Sequence, residues 1–363
     1  MRRAGRSWAL TACAVLAGSL LSACTPGLPS SVTRIGTSGT PGTSGAVTTT
    51  TAGSAVAAAT STSGAVCPLT GLPAPGGAVP HRSAMAVKVD NYPTARPQTG
   101  LTAADVVFEE PVEGGVTRYV AVFQCHTAPT VGPVRSARNI DIGILGQLGS
   151  PLLVHVGGIQ PVIDNIVASP INDFELGDYT SIMRHPAGRS APYDTYTSTA
   201  AVWHMRPTAT TPPAPLFTYS NAAPAGAPVS SISIPFSFYS PVVWTWNRSK
   251  RDFLRSFNST PDVLSNGAQN RAQNVIVQYV NVYYGPWVEN TQGALEVQAN
   301  LFTNASGTAI VFRNGEEIPG RWSRSTLAQP TSFTTTAGTP ISLDPGRTWV
   351  ELVPSAIHVT ATP

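Results

Sequence analysis

A long stretch of the chain has a composition that does not support folding, and it sets the point where the fold can begin. From Thr25 to Val66 the residues are mainly Thr, Ser, Gly, Ala and Pro, with Arg34 as the only charged residue. Such a stretch cannot bury enough apolar surface to offset the conformational entropy lost on ordering. The chain from Cys67 onward is long enough to bury a hydrophobic core. We therefore expect 24–66 to be a disordered tether.

The N-terminus has the features of a bacterial lipoprotein signal peptide. Met1–Arg6 is positively charged, and Ser7–Leu20 is an apolar run too short to span a bilayer comfortably. Leu21-Ser-Ala-Cys24 has the form of a lipobox, which argues against a buried helix. We expect a signal peptide over 1–23 and acyl chains on Cys24 that anchor the protein at the extracytoplasmic face of the cell membrane. The Ser/Thr-rich tether is also compatible with a glycosylated stalk.

Two cysteines remain for the folded part. Cys13 lies in the expected signal peptide, and Cys24 is the expected lipidation site. An even pair in an oxidising compartment is more often bridged than free, so we expect a disulfide between Cys67 and Cys125, with two buried thiols as the alternative. Their spacing does not match a zinc site. We expect neither a metal nor a cofactor.

The chain is poor in charged residues. Asp, Glu, Lys and Arg make up 11% of it, less than half of the usual share of about 25%, whereas Gly and Pro number 32 and 33. This composition favours loops and strands over helices. Three of the 22 basic residues precede Cys24, which leaves 19 basic and 19 acidic residues after the signal peptide. No nucleic-acid partner is expected, because binding a phosphate backbone requires clustered positive charge.

Hydrophobic periodicity predicts a mixed first part over 67–204. Alternating and β-branched runs indicate strands, and apolar residues at three- and four-residue spacing indicate two helices. The predicted strands are 85–89, 105–108, 117–124 and 151–156, and the predicted helices contain Ile140, Ile144, Leu145 and Leu148, and Ile159, Ile163 and Ile166. The Pro-, Ala- and Thr-rich segment 205–228 is expected to be a connection or a long surface loop.

The pattern over 229–363 predicts mainly strands. The predicted strands are 232–234, 242–246, 274–284, 308–313 and 347–353. Asn314-Gly315 indicates a hairpin, because a type I′ turn requires positive φ at both central residues. We expect 347–353 to close the sheet of this part. The expected fold class is therefore α+β, with a layered mixed α/β N-terminal part followed by a β-rich C-terminal part.

Several phrases spread over the folded part carry a family resemblance. They are Cys67-Pro-Leu-Thr-Gly-Leu-Pro73, Val87-Lys-Val-Asp-Asn91, Glu113-Gly-Gly-Val-Thr-Arg118, Gly132-Pro-Val-Arg-Ser-Ala-Arg138 and Pro345-Gly-Arg-Thr-Trp-Val-Glu-Leu-Val-Pro354. From about Cys67 to Pro354 the chain resembles the YerB-like lipoproteins, a bacterial family with N- and C-terminal parts. The resemblance implies a lipid-anchored envelope protein of mixed α and β layers, without a settled reaction. Tyr193 stands where this family commonly has histidine, which argues against histidine catalysis at that point.

The densest group of charged residues lies between Asp90 and Asp141. In so uncharged a chain this clustering suggests a polar site. Near the predicted helix start, Arg135 and Arg138 could share one face and hold a carboxylate or phosphate. The candidate ligand-binding residues are Arg96, Arg118, Arg135, Arg138, Asp90 and His155. The alternative is that Arg118 pairs with Glu113, or Arg138 with Asp141, at a domain surface, and that His155, at a strand end, is a structural histidine.

A catalytic role is the competing interpretation. Glu109, Glu113 and Asp141 are weak candidates for the acid and base that glycosidic-bond hydrolysis requires. No zinc-peptidase, P-loop, nucleophile-elbow or dinucleotide-binding motif is present in the sequence. Six aromatic residues allow a sugar-stacking platform, although packing in the core is the expected role: Trp244, Trp246, Tyr279, Tyr283, Tyr284 and Trp287.

The function expected from the sequence is that of a lipid-anchored envelope protein. Its partners would be the membrane, through the anchor, and a cell-wall polymer or another envelope protein. The arginines would bind the anionic feature of that partner. The alternative function is a hydrolase of cell-wall glycan or peptide that uses the acidic residues.

Overall fold

A computed structural model describes residues 64–222 and 225–363. The expected signal peptide 1–23, the lipidation site Cys24 and nearly all of the tether 24–66 lie outside the described residues. None of the described helices is long and apolar enough to cross a membrane.

Short strands dominate the described residues. The elements are, in chain order, β1 (Met85–Asp90), β2 (Val106–Pro111), β3 (Thr117–Phe123), α1 (Ile140–Leu145), β4 (Leu152–His155), α2 (Gln160–Val167), β5 (Asn172–Glu175), α3 (Thr199–Met205), β6 (Ala227–Pro228), β7 (Ser231–Ser237), β8 (Ser240–Asn247), β9 (Asp252–Phe257), β10 (Thr260–Pro261), β11 (Arg271–Ala272), β12 (Asn274–Val280), β13 (Val282–Val288), β14 (Leu295–Ala299), β15 (Ala305–Arg313), β16 (Glu316–Arg324), β17 (Ser332–Thr335), β18 (Thr348–Pro354) and β19 (Thr360–Thr362). Short 3-10 helices include Pro93–Ala95 and Glu113–Gly115.

One large sheet runs through both parts of the chain. Its strand order is β17-β16-β15-β12-β18-β2-β3-β1-β4-β5, with β6 attached to β16. Strand β18 pairs in parallel with β12 on one side and with β2 on the other. Segment 347–353 therefore does not close a separate C-terminal sheet as expected, because it joins the strands of the two parts in the middle of the sheet.

The two faces of the large sheet are covered differently. Along β1 to β3, residues such as Ala86, Val120 and Val122 face a core shared with α1 and α2. The alternate residues, such as Val87 and Tyr119, face a second core shared with α3 and with a smaller sheet. The smaller sheet has the order β10-β9-β8-β7-β19, with β11 attached to β9. Helices α1 and α2 on one face, and α3 with a second sheet on the other, confirm the α+β class.

Two turn regions test the expected strand boundaries in the C-terminal part. The predicted strand 274–284 is interrupted at Asn281, and its second half becomes β13 of a separate β13–β14 hairpin. The Asn314-Gly315 turn is confirmed, since Asn314 and Gly315 have φ values of 51° and 74° between the paired strands β15 and β16.

The expected disulfide is confirmed. Cys67 and Cys125 are bonded, with their Cα atoms 6.0 Å apart. Cys125 follows β3, so the bridge fixes the start of the folded part to the large sheet. Ala74 and Val79 pack against the bridge in a small apolar cluster.

Candidate ligand-binding cleft

Polar residues replace apolar ones where β1, β2 and β3 meet at one end of the sheet. Strand register places Asp90 of β1 and Glu110 of β2 beside Arg118 of β3. Since directly opposite residues in antiparallel strands point to the same face, these side chains continue the apolar rows that α1 covers. The N-terminal end of α1 therefore lies over charged groups instead of over core residues.

A cleft of about 500 Å³ opens at this end of the sheet. We call it the arginine cleft. It is lined by Tyr92, Glu113, Arg118, Arg135, Ser136, Arg138, Gly158, Ile159, Glu289, Asn290 and Gln292. Three of the four arginines expected from the sequence thus converge, together with Glu113.

Two of the three arginines are paired with carboxylates. Arg135 Nε lies 2.6 Å from Asp90 Oδ2, and the Arg135 side chain is 25% exposed. The buried Arg138 donates to both carboxylate oxygens of Glu113, and its Nη2 also lies 3.2 Å from Glu289 Oε2. The alternative pairs expected from the sequence, Arg118 with Glu113 and Arg138 with Asp141, are therefore not the ion pairs found among the described residues, where Arg135 pairs with Asp90 and Arg138 with Glu113.

Arg118 differs from its neighbours because no carboxylate among the described residues lies within 4 Å of its guanidinium. Its Nη1 donates to the carbonyl oxygen of Ser136 at 3.2 Å, and its Nε has no hydrogen-bond partner in the described chain. Burial, together with the positive charges of Arg138 and Arg135, lowers the pKa of Arg118 to about 10. A guanidinium whose pKa is about 10 is still charged at neutral pH, so the cleft holds a buried cation with unused donors.

Glu289 is a cleft residue that the sequence did not indicate. It lies just after β13, and burial raises its pKa to about 7, against the opposing charge of Arg138. Burial would also raise the pKa of Glu113, but hydrogen bonds from Arg138 and its charge lower that pKa overall. The cleft therefore contains one carboxyl group that is ionised at neutral pH and one that is partly protonated.

Asp141 and Glu110 lie behind the cleft in a buried ion cluster. Lys88 Nζ contacts Glu110 Oε1 and lies 2.6 Å from Asp141 Oδ1. Asp141 Oδ2 also accepts from the backbone N–H of Arg138 at 2.8 Å, which fixes the start of α1. Burial raises the pKa of Glu110 to about 8. Asp141 does not line the cleft and is held in a structural ion pair.

Glu109 faces the opposite side of the sheet. Its Oε2 lies 2.6 Å from Arg255 Nη2 of β9, and its Oε1 accepts from Thr117 Oγ1 at 2.6 Å. This fully buried ion pair joins the smaller sheet to the large one. Glu109 is therefore not available to a ligand in the arginine cleft.

Arg96 and His155 also lie outside the cleft lining. Arg96 Nη2 donates to the carbonyl oxygens of Asn91 and Tyr239, at 2.9 and 2.8 Å. The buried His155 contacts the Asp173 carboxylate through Nε2 at 2.7 Å and the Gly157 carbonyl through Nδ1 at 2.9 Å. Burial would lower the pKa of His155, but Asp173 and its other partners raise it overall. Both side chains hold backbone segments together.

The six aromatic residues considered as a platform lie in different places. Trp244 is in the core beneath the smaller sheet, Trp287 packs against the core beneath the helices, and Tyr283 and Tyr284 are exposed on β13. They do not form one surface. In the part of the chain that the structure describes, no group of three His, Cys, Asp or Glu residues could hold a metal ion.

Two domains of one protein family match the two parts of the chain. The N-terminal domain of "Protein of unknown function (DUF3048)" matches residues 69–211, and its C-terminal domain matches residues 232–350. A curated relative, "Putative lipoprotein YerB" of Bacillus subtilis (strain 168), is 37% identical over 134 residues, which are 36% of this chain and 39% of the relative. This alignment thus spans about two fifths of that relative.

A solved structure shares the fold. The crystal structure of the YerB protein from Bacillus subtilis matches with a TM-score of 0.70 and 22% identity, covering 82% of this chain and 99% of the other. The two family domains together cover well over half of the chain, and the resemblance expected from its phrases is confirmed. The chain therefore belongs to the DUF3048 family of proteins of unknown function.

Proposed function

We propose that this chain is a lipid-anchored envelope protein that binds an anionic group of a cell-wall component in the arginine cleft. The observation that carries the proposal is Arg118, a buried guanidinium without a carboxylate partner among the described residues. A buried charge is costly unless it is paired and hydrogen-bonded. A phosphate or carboxylate that entered the cleft would supply the opposite charge and the missing hydrogen-bond acceptors. Guanidinium groups bind such anions through paired hydrogen bonds.

The envelope location is supported by the N-terminus and by a relative. Leu21-Ser-Ala-Cys24 has the form of a lipobox, and the similar Bacillus protein bears the name of a lipoprotein. A lipid anchor followed by a Ser/Thr-rich tether would place the arginine cleft within reach of the cell wall. Cell-wall polymers commonly carry phosphate or carboxylate groups, which are the anions that arginine prefers.

The test is co-sedimentation of the full chain, kept soluble in detergent, with purified cell wall. We expect Arg118→Met to weaken binding by about tenfold or more, because a hydrogen bond to a charged group contributes roughly 1.5–3 kcal/mol. Arg321→Met is the matched control, since Arg321 is exposed on β16 and does not line the cleft. Wild-type binding by Arg118→Met, in a protein that melts normally, would contradict the proposal.

A second candidate function, hydrolysis of the wall, is favoured by one observation. Glu113 and Glu289 both lie within 3.2 Å of the same Arg138 nitrogen, and their pKa values are shifted in opposite directions. Pairs of carboxyl groups with diverging pKa values serve as acid and base in glycoside hydrolysis. Enzymatic action would release soluble fragments from purified wall, and Glu289→Gln would abolish the release. Binding without release would reject this candidate.

A further inference from the structure

We propose that the ligand of the arginine cleft is a glycan strand with anionic substituents, and that its sugar rings stack on an aromatic strip beside the cleft. The strip consists of Tyr193, Tyr92, Tyr239 and Phe238. This inference rests on the proposed function and extends it, because it names the class of polymer that carries the anion.

The four rings form a continuous row that begins at the arginine cleft. Tyr92 lines the cleft, and the Arg135 guanidinium carbon lies 5.8 Å from the centre of the Tyr193 ring. The centres of successive rings are 6.2 Å apart from Tyr193 to Tyr92, 5.3 Å from Tyr92 to Tyr239 and 5.7 Å from Tyr239 to Phe238. An elongated ligand could therefore contact the arginines and the strip at the same time.

The strip has no evident part in folding. None of its four residues belongs to the hydrophobic cores of the described chain. Phe238, in the two-residue turn between β7 and β8, is 92% exposed. Tyr92, Tyr193 and Tyr239 are half-buried, so the row presents partly exposed aromatic surface next to polar groups, which is a common mark of a binding site.

Several hydrogen bonds hold the strip in place. The backbone N–H of Tyr92 donates to Asp90 Oδ1 at 2.8 Å, and Asp90 itself pairs with Arg135. The Nη2 of Arg96 bridges the carbonyl oxygens of Asn91 and Tyr239, so one guanidinium fixes the two segments that carry neighbouring rings. Arg96, expected to bind ligand, is thus a positioning residue for the strip.

The chemistry of the combined surface fits a glycan. Pyranose rings present a face of C–H groups that packs against the electron-rich face of an aromatic ring. Their hydroxyl edges require donors and acceptors, which the cleft offers as Arg118, Glu289 and Gln292. An extended peptide, in contrast, usually adds a strand to a free sheet edge or fills side-chain pockets. The aromatic strip begins at a cleft that contains cations. This combination fits an anionic glycan better than an extended peptide.

The experiment measures equilibrium binding of the detergent-solubilised full chain to three probes. These are peptide-free glycan oligomers from peptidoglycan, which carry lactyl carboxylates, the corresponding stem peptide alone, and inorganic phosphate. The variants are Tyr239→Leu and Phe238→Ser in the strip, neither of which lines the cleft, and Arg118→Met in the cleft. Phe238 is nearly fully exposed, so its replacement leaves the fold intact. Tyr283→Ala is the matched control, an exposed aromatic residue outside the strip.

We expect each strip variant to weaken glycan binding by about three- to tenfold, with phosphate binding unchanged. Arg118→Met should weaken the binding of glycan and of phosphate. Tyr283→Ala should change the binding of neither. Wild-type glycan affinity in both strip variants, with loss in Arg118→Met, would overturn the inference and leave the proposed function intact. Equal binding of the stem peptide and the glycan would also overturn it. Unchanged binding of every probe by Arg118→Met would refute the proposed function itself.

Discussion

Replacing Arg255 by Met removes the cation of the buried ion cluster between the two sheets. Arg255 is fully buried, and its two terminal nitrogens lie 2.6 Å from Glu109 Oε2 and 2.7 Å from Asp262 Oδ2. Glu351 lies beside Glu109 in the strand register, and burial together with the Glu109 charge raises the Glu351 pKa well above its ordinary value. The cluster therefore depends on one guanidinium to balance two buried carboxylates.

Removing one partner of a buried ion pair costs about 3–5 kcal/mol, because the other charge remains uncompensated. Since Arg255 has two partners, we expect the free energy of unfolding to fall by about 5 kcal/mol. In a urea titration with a slope of about 3 kcal/mol/M, the midpoint would decrease by roughly 1.7 M. The exposed control Arg321→Met should change the free energy of unfolding by no more than about 0.5 kcal/mol. A loss below about 1 kcal/mol in Arg255→Met would refute the reasoning.

A double-mutant cycle separates the ion pair from the packing of the long Arg255 side chain. Adding Glu109→Gln to Arg255→Met removes one uncompensated carboxylate. We expect the double variant to be more stable than the sum of the single losses predicts, by about 1–3 kcal/mol. Strict additivity would show that the Arg255 charge does not stabilise Glu109.

Three further outcomes follow from particular residues. Changing both Cys67 and Cys125 to Ser should lower the free energy of unfolding by roughly 4 kcal/mol, because the bridge closes a loop with a sequence separation of 58. An unchanged urea midpoint would contradict this prediction. Gly100→Ala should destabilise more than Gly267→Ala in thermal melts, since both have positive φ but only at Gly100 would a Cβ lie 2.4 Å from a carbonyl oxygen. Anion binding should weaken as pH rises through about 7, because Glu289 then gains a negative charge inside the cleft. The Glu289→Gln variant should bind the anion independently of pH over that range. A pH dependence that persists in Glu289→Gln would assign the effect to another group.

Local periodicity was sufficient to predict most elements of the N-terminal part. The predicted strands 85–89 and 117–124 match β1 and β3, and both predicted helices are present as α1 and α2. Each of these elements has an apolar run, an alternation or a helical spacing within its own segment, so the local pattern is sufficient to indicate it.

The arrangement of the sheet could not be predicted in the same way. The pairing of β18 with β2 joins residues about 240 positions apart, and nothing in either strand specifies the other. The break at Asn281 was missed as well, because the apolar alternation continues from β12 into β13. Tertiary packing, and not the local pattern, decides that β13 leaves the large sheet.

For the cleft, charge scarcity was the useful signal. Arg118, Arg135 and Arg138 were candidate ligand-binding residues on this ground, and the structure places them in one cleft because β3 begins beneath the start of α1. Glu113 lines the cleft, whereas Asp141 is buried behind it and Glu109 points to the opposite face of the sheet. The sequence alone did not show which of the three carboxylates reaches the cleft. Glu289 was missed because it reaches the cleft from a hairpin that follows in the other part of the chain.

The measurement that tests the central proposal most directly is a calorimetric titration of the full chain with soluble anionic cell-wall fragments. Wild type, Arg118→Lys and Arg118→Met would be compared, because lysine keeps the charge but loses the planar pair of donors. We expect saturable binding by wild type, weaker binding by Arg118→Lys and a loss of about tenfold or more in Arg118→Met. The same dissociation constant for all three proteins would show that Arg118 does not bind the anion.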